Sequence, residues 1–176
     1  ETPAARLLPM IVERLQQGTE LRQVVAAAAL ANARAFGGED YIGYHTMMAI
    51  APAFHMAGEL PDERKALPIL KVLFRNSSRI QEANRAQRDT LQPVQADTLP
   101  QGRDGGEVLR ERVRATDMNG AEQTFAALCR ASAEDGFNTV LTAVEDQTDV
   151  HRVVLPYRAW DLLGIIGRDQ AHTLLR

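Results

Sequence analysis

Two histidines in this chain follow the same pair of acids at the same distance. Glu39-Asp40 is followed by four residues and then His45, and Glu145-Asp146 is followed by four residues and then His151. If the segments around them are copies of one unit packed about a pseudo-twofold axis, the two imidazoles meet across one interface. Imidazoles converging in that way can ligate a transition metal or haem, or act as acid and base around pH 7. His45 and His151 are therefore the candidate metal ligands and catalytic groups. Tyr41 stands one helical turn before His45 and can share its face, and Tyr157 occupies the second segment; a phenol at either place can donate a proton or anchor a substrate. His55 lies ten residues after His45, about 80° away around a regular helix, and its counterpart in the second segment is Asp161, so the two suit a mixed His/carboxylate cofactor site. A plainer account explains the same pattern: the acids are helix N-caps, and the histidines hydrogen-bond across the repeat interface. No dense ligand spacing such as His-Glu-x-x-His accompanies them.

The elements that must position these side chains read as helices throughout. Pro3 to Gln17 places Leu7, Leu8, Ile11, Val12 and Leu15 at three-and-four spacing before the stop at Gly18. Thr19 is the expected cap of a second helix that runs to about Ala35, and Glu39 or Asp40 the cap of a third from Tyr41 to Ala57, kinked or split at Pro52. A fourth opens at Asp62-Glu63 and is expected to fray over Asn76 to Asn84. From about Arg85 to Gly106 the composition turns polar, as for a connection. Helices resume over Glu107 to Ala115, from Asn119 or Gly120 to about Glu134, and from Val150, capped by Asp149, to Leu163.

The second half keeps step with the first beyond the histidines. Ala53-Phe54 aligns with Ala159-Trp160, Met56 with Leu162 and Gly58 with Gly164; upstream, Gln23 aligns with Gln123, Ala26-Ala27 with Ala126-Ala127, and Ala31 and Ala33 with Ala131 and Ala133. The two offsets differ by six residues, which fits one insertion near residues 134 to 144. The expected fold is all-α, a helical bundle built from two similar helical-hairpin units: residues 1–84, a polar connection at 85–106, and residues 107–176.

Composition narrows the function classes. The chain has 176 residues, 45% of them apolar and only 5% aromatic, with a net charge of −3. That balance suits helices packed through small residues and supplies no positive field for a nucleic-acid backbone. No run of about 18 apolar residues exists to span a membrane, so a soluble protein is expected. The single Cys129 sits in an Ala-rich segment, where a buried small hydrophobe is the ordinary role. The first residue is Glu, and no stop signal closes the last helix, features expected of a piece of a longer chain.

Around the histidines, Tyr44-His45-Thr46-Met47-Met48-Ala49 through Gly58, and Val150-His151-Arg152-Val153-Val154 through Leu163, the chain resembles the questin oxidase-like proteins, helical relatives in which His-led hairpins recur. The resemblance implies a helical repeat oxidoreductase acting on a small organic substrate, with His45 and His151 in its cavity. The residues by themselves leave two readings open: a His-centred enzyme or cofactor-binding domain, or a non-catalytic helical module that binds another protein. Self-association through an apolar face such as Leu67 to Phe74 is compatible with either.

Overall fold

A computed structural model describes residues 2–36, 40–85 and 90–176; Gly37, Gly38 and the candidate cap Glu39 lie outside them. Among the described residues the chain is all α-helical, with no strand. It divides into two compact units, Glu1–Leu91 and Gln92–Arg176.

The first unit holds α1 (Ala4–Gln16), α2 (Leu21–Ala35), α3 (Tyr41–Gly58) and α4 (Ala66–Arg85). α3 is apolar nearly all round, the composition of a helix with neighbours on more than one side, and it packs on both α2 and α4, while α1 lies on α4. Its buried residues include Ile50, Ala51 and Ala53, facing a core completed by Val25, Ala29, Ile69 and Leu73. Each fully buried Ile or Leu here contributes about 1.5–3 kcal/mol. Pro52 is accommodated inside α3, which stays helical through it to Gly58.

Local chemistry sets the helix starts. Asp40 caps α3 by accepting a 2.6 Å hydrogen bond from the Gly43 N–H. At α2 the cap is Glu20 rather than the expected Thr19, because Glu20 and Gln23 satisfy each other's backbone N–H groups in a reciprocal capping box. The largest departure from expectation is at α4. It does not fray after Asn76 but continues to Arg85, and Asn76 is 1% exposed.

Asn76 belongs to a buried polar cluster that ties three helices together. The Asn32 side-chain amide on α2 donates to Asn76 Oδ1 at 2.6 Å, to Thr46 Oγ1 at 3.0 Å and to the Gly43 carbonyl at 3.1 Å. The Thr46 hydroxyl has Gly43 O at 2.8 Å and Asn76 Oδ1 at 3.1 Å as acceptors, and Asn76 Nδ2 donates to Ala28 O at 3.3 Å. Buried polar groups satisfied in this way fix one relative setting of α2, α3 and α4.

The second unit contains α5 (Gly105–Arg114), α6 (Met118–Ala131), α7 (Ala133–Val144), α8 (Val150–Ile166) and α9 (Ala171–Leu175), with a 3-10 turn at Arg168–Gln170. Its core gathers Val108, Leu109, Phe125, Leu162, Leu163 and Leu174. The polar stretch ahead of α5 is anchored to this unit: the Asp97 N–H donates to Gln123 O, the Asp97 carboxylate accepts from Arg112, and Arg176 donates to Gln92 O.

α6 and α7 form two helices because Ser132 adopts extended backbone and caps α7 through the Asp135 N–H at 2.9 Å. The helices pass closely beyond that corner. A Cβ added at Gly136 would lie 2.6 Å from Cys129 Sγ. Gly136→Ala is accordingly expected to cost about 1 kcal/mol, the clash outweighing the gain in helix propensity. With Cys129 already changed to Ala the same substitution is expected to be neutral or stabilising, a coupling that urea denaturation of the parent, both single variants and the double variant measures.

The structure does not show the internal repeat. Asp40 caps α3, whereas its aligned acid Asp146 lies ahead of α8 and is gripped by Arg114 at 2.6 Å; the cap of α8 is Asp149, which accepts from His151 N and Arg152 N. His45 is therefore the fifth residue of its helix and His151 the second. α3 packs on α2 and α4, and α8 on α7 and α9.

Candidate functional site

In the first unit, two of the sequence candidates share a cleft. Tyr41, Ile42, His45, Thr46 and Ala49 of α3 face Lys71, Val72 and Arg75 of α4 around a cavity of about 350 Å³. This is toward the small end of the range for small-molecule sites, about 300–1,000 Å³. The surface of the cleft is mainly apolar.

The i, i+4 spacing of Tyr41 and His45 places their rings 4.2 Å apart, tilted by 47°. His45 Nδ1 lies 2.6 Å from the Tyr41 carbonyl oxygen. A carbonyl can only accept, so Nδ1 carries the proton in this contact. In the neutral ring Nε2 is then the basic atom.

Lys71 and Arg75 stand one turn apart on α4, and among the described residues neither has a carboxylate within ion-pair distance. The next residue in that row behaves differently. Arg79 holds Asp40 through Nε at 3.0 and 3.1 Å and through Nη2 at 2.6 Å, and also pairs with Glu82 at 2.9 Å. The Arg79 hydrogen bonds are the main cause of an Asp40 carboxyl held below the usual carboxylate range.

The remaining candidates have local roles. His55 is exposed on α3, edge-on to Phe54 at 6.1 Å, and does not line the cleft. In the second unit His151 is exposed in the first turn of α8, with Nδ1 3.9 Å from its capping Asp149. Tyr157 is 58% exposed beneath the Arg158 guanidinium, and Asp161 pairs with Arg158 at 3.6 Å. No three His, Cys, Asp or Glu side chains among the described residues form a metal-ligand group. The Cys129 thiol is pushed up to about 12 by burial, so it stays protonated and inert near neutral pH.

Sequence reasoning missed Lys71 and Arg75 because their cleft partners lie on another helix. Their own signal was a pair of cations at i, i+4 within an otherwise apolar run. Among the described residues no helix is long and apolar enough to cross a membrane. No protein-family model matches the chain, and no curated protein or solved structure matches it either.

Proposed function

We propose that the first unit binds a small organic molecule in the α3–α4 cleft, where His45 accepts or donates a proton. The observation that carries this reading is the His45 ring, fixed by the 2.6 Å contact of Nδ1 with the Tyr41 carbonyl, beside an apolar cavity of about 350 Å³. An apolar wall with a few oriented polar groups is the usual composition of a small-molecule site. A general base must lie within reach of the proton it takes, and a side chain on a helix is better positioned for that than one on a loop. Within this reading His45 is the catalytic group and the tilted Tyr41 ring lies beside it. An oxidation of the substrate enters only through the resemblance around Tyr44 to Gly58.

A second reading, a non-catalytic module that binds another protein, is favoured by one feature of the second unit. On α8, Val150, Val153 and Tyr157 follow i, i+3 and i+7 spacing and are 72%, 47% and 58% exposed, an apolar edge of the kind that partner helices cover.

Carbon-detected NMR of the cleft residues during titration with small aromatic fragments separates the readings. The first expects shifts at His45, Ile42, Ala49 and Val72, and binding about tenfold weaker in His45→Ala, the loss of one good polar contact. Fragments that leave all four residues unmoved would remove it and leave the second reading standing.

A further inference from the structure

The geometry points to an organic carboxylate as the ligand of the α3–α4 cleft, with its acid group held by Lys71 and Arg75 and its apolar body on Ile42, Ala49 and Val72; this rests on the small-molecule reading above.

Lys71 and Arg75 both line the cleft from α4, one turn apart on one face of the helix. Like charges at that spacing repel. Arginines such as Arg79, Arg103, Arg110, Arg112, Arg114 and Arg176 hold carboxylates of the chain. Among the described residues no carboxylate comes within ion-pair distance of Lys71 or Arg75. An anion seated between them turns the repulsion into two charge-assisted contacts.

This row of α4 already binds a carboxylate. Arg79 lies one turn beyond Arg75 and grips Asp40, which projects from the N-terminal end of α3, through both Nε and Nη2. Arg75 repeats that position about 6 Å back along α4, at the rise of 1.5 Å per residue, on the stretch that lines the cleft with Ile42, His45 and Ala49. A guanidinium offers a planar fork matched to a carboxylate, and the Lys71 ammonium adds a second charge beside it.

The cleft surface is mainly apolar, so a small polyanion or a bare inorganic ion would leave most of it uncovered. A carboxylate on a hydrocarbon or aromatic body covers both parts. Two cations on a chain of net charge −3 are also too few for a nucleic-acid backbone, where affinity grows with the number of phosphates neutralised.

The test compares acids with their neutral amides on the intact chain: benzoate, octanoate and 2-naphthoate against benzamide, octanamide and 2-naphthamide. NMR titration follows His45, Ile42 and Val72. At least one acid is expected to bind about tenfold tighter than its amide. The preference should weaken as salt is raised, and should fall below about twofold in the Lys71→Gln/Arg75→Gln double variant. Both residues are exposed, and an unchanged circular dichroism spectrum confirms that the variant is folded. Acids and amides that bind equally, or a preference that survives in the double variant, would overturn the carboxylate assignment while the cleft reading stands. If no probe of either kind moves the cleft residues, the cleft reading fails and this inference with it.

Discussion

Asn32→Ala is expected to destabilise the protein by about 3 kcal/mol, a large effect for removing one amide. Asn32 is 3% exposed, and its two N–H hydrogens serve three acceptors, on α3 (Gly43 O, Thr46 Oγ1) and on α4 (Asn76 Oδ1). Truncation removes those bonds at about 1 kcal/mol each, leaves Asn76 Oδ1 with the Thr46 hydroxyl as its remaining donor, and opens a small cavity. Asn32→Asp is the sharper control. It keeps the shape but replaces the donor with an oxygen facing three acceptors, so it is expected to cost at least as much as the Ala change. Asn119→Ala, on an exposed position of α6, should stay within about 0.5 kcal/mol. Urea denaturation reads all three, and a drop in Tm of roughly 6–12 °C should accompany the first. A cost below 1 kcal/mol for both Asn32 variants would mean that apolar packing alone sets the three helices.

That cluster also marks the boundary of what the sequence reveals. Helix starts are local events, and Asp40 and Asp149 were legible as caps from an acid placed just ahead of an apolar run. Glu20 and Gln23 displace Thr19 through a reciprocal pair that is still local, and Ser132 with Asp135 carries a capping signal just inside the expected helix end near Glu134. Asn76-Ser77-Ser78-Arg79 is a different case. Its polarity resembles a fraying end, yet Asn76 finds its partners on α2 and α3, and Arg79 finds Asp40, 39 residues earlier. Partners that distant are fixed only by tertiary packing, so the residues that cross-brace the first unit were those the periodicity discounts. The candidate site divides along the same line. Tyr41 and His45 are neighbours by helical spacing and were recognised together; Lys71 and Arg75 join them only because α4 packs against α3. Equivalent spacing around the two histidines did not translate into equivalent local structure, because Asp146 is drawn to Arg114 and the cap passes to Asp149.

Asp40 should show two separable contributions of comparable size. Its carboxylate caps α3 through the Gly43 N–H and receives Arg79 through two nitrogens, in a site where the Asp40 side chain is only 11% exposed and that of Arg79 25%. Asp40→Ala loses both roles and is expected to cost about 2.5 kcal/mol, whereas Asp40→Asn retains a good cap, loses the charge, and should cost about 1.5 kcal/mol. Acid titration distinguishes the charge from the cap. Arg79 holds the Asp40 carboxyl below its ordinary range in the folded protein, so across that interval the unfolded chain binds more protons than the folded one. The contribution of the pair is therefore complete above the unfolded value of about 4 and is lost as pH falls through the folded one. Asp62, Asp97, Glu111, Asp146 and Asp149 are lowered as well, so the parent protein alone cannot isolate Asp40. The stability difference between the parent and Asp40→Asn can, since both carry those acids. It should be constant from pH 7 to about 5 and shrink toward zero below about 4, where a protonated Asp40 becomes nearly as uncharged as Asn. A difference that persists undiminished at pH 2 would show that the Asn variant is weakened by altered capping geometry, with the ion pair contributing little.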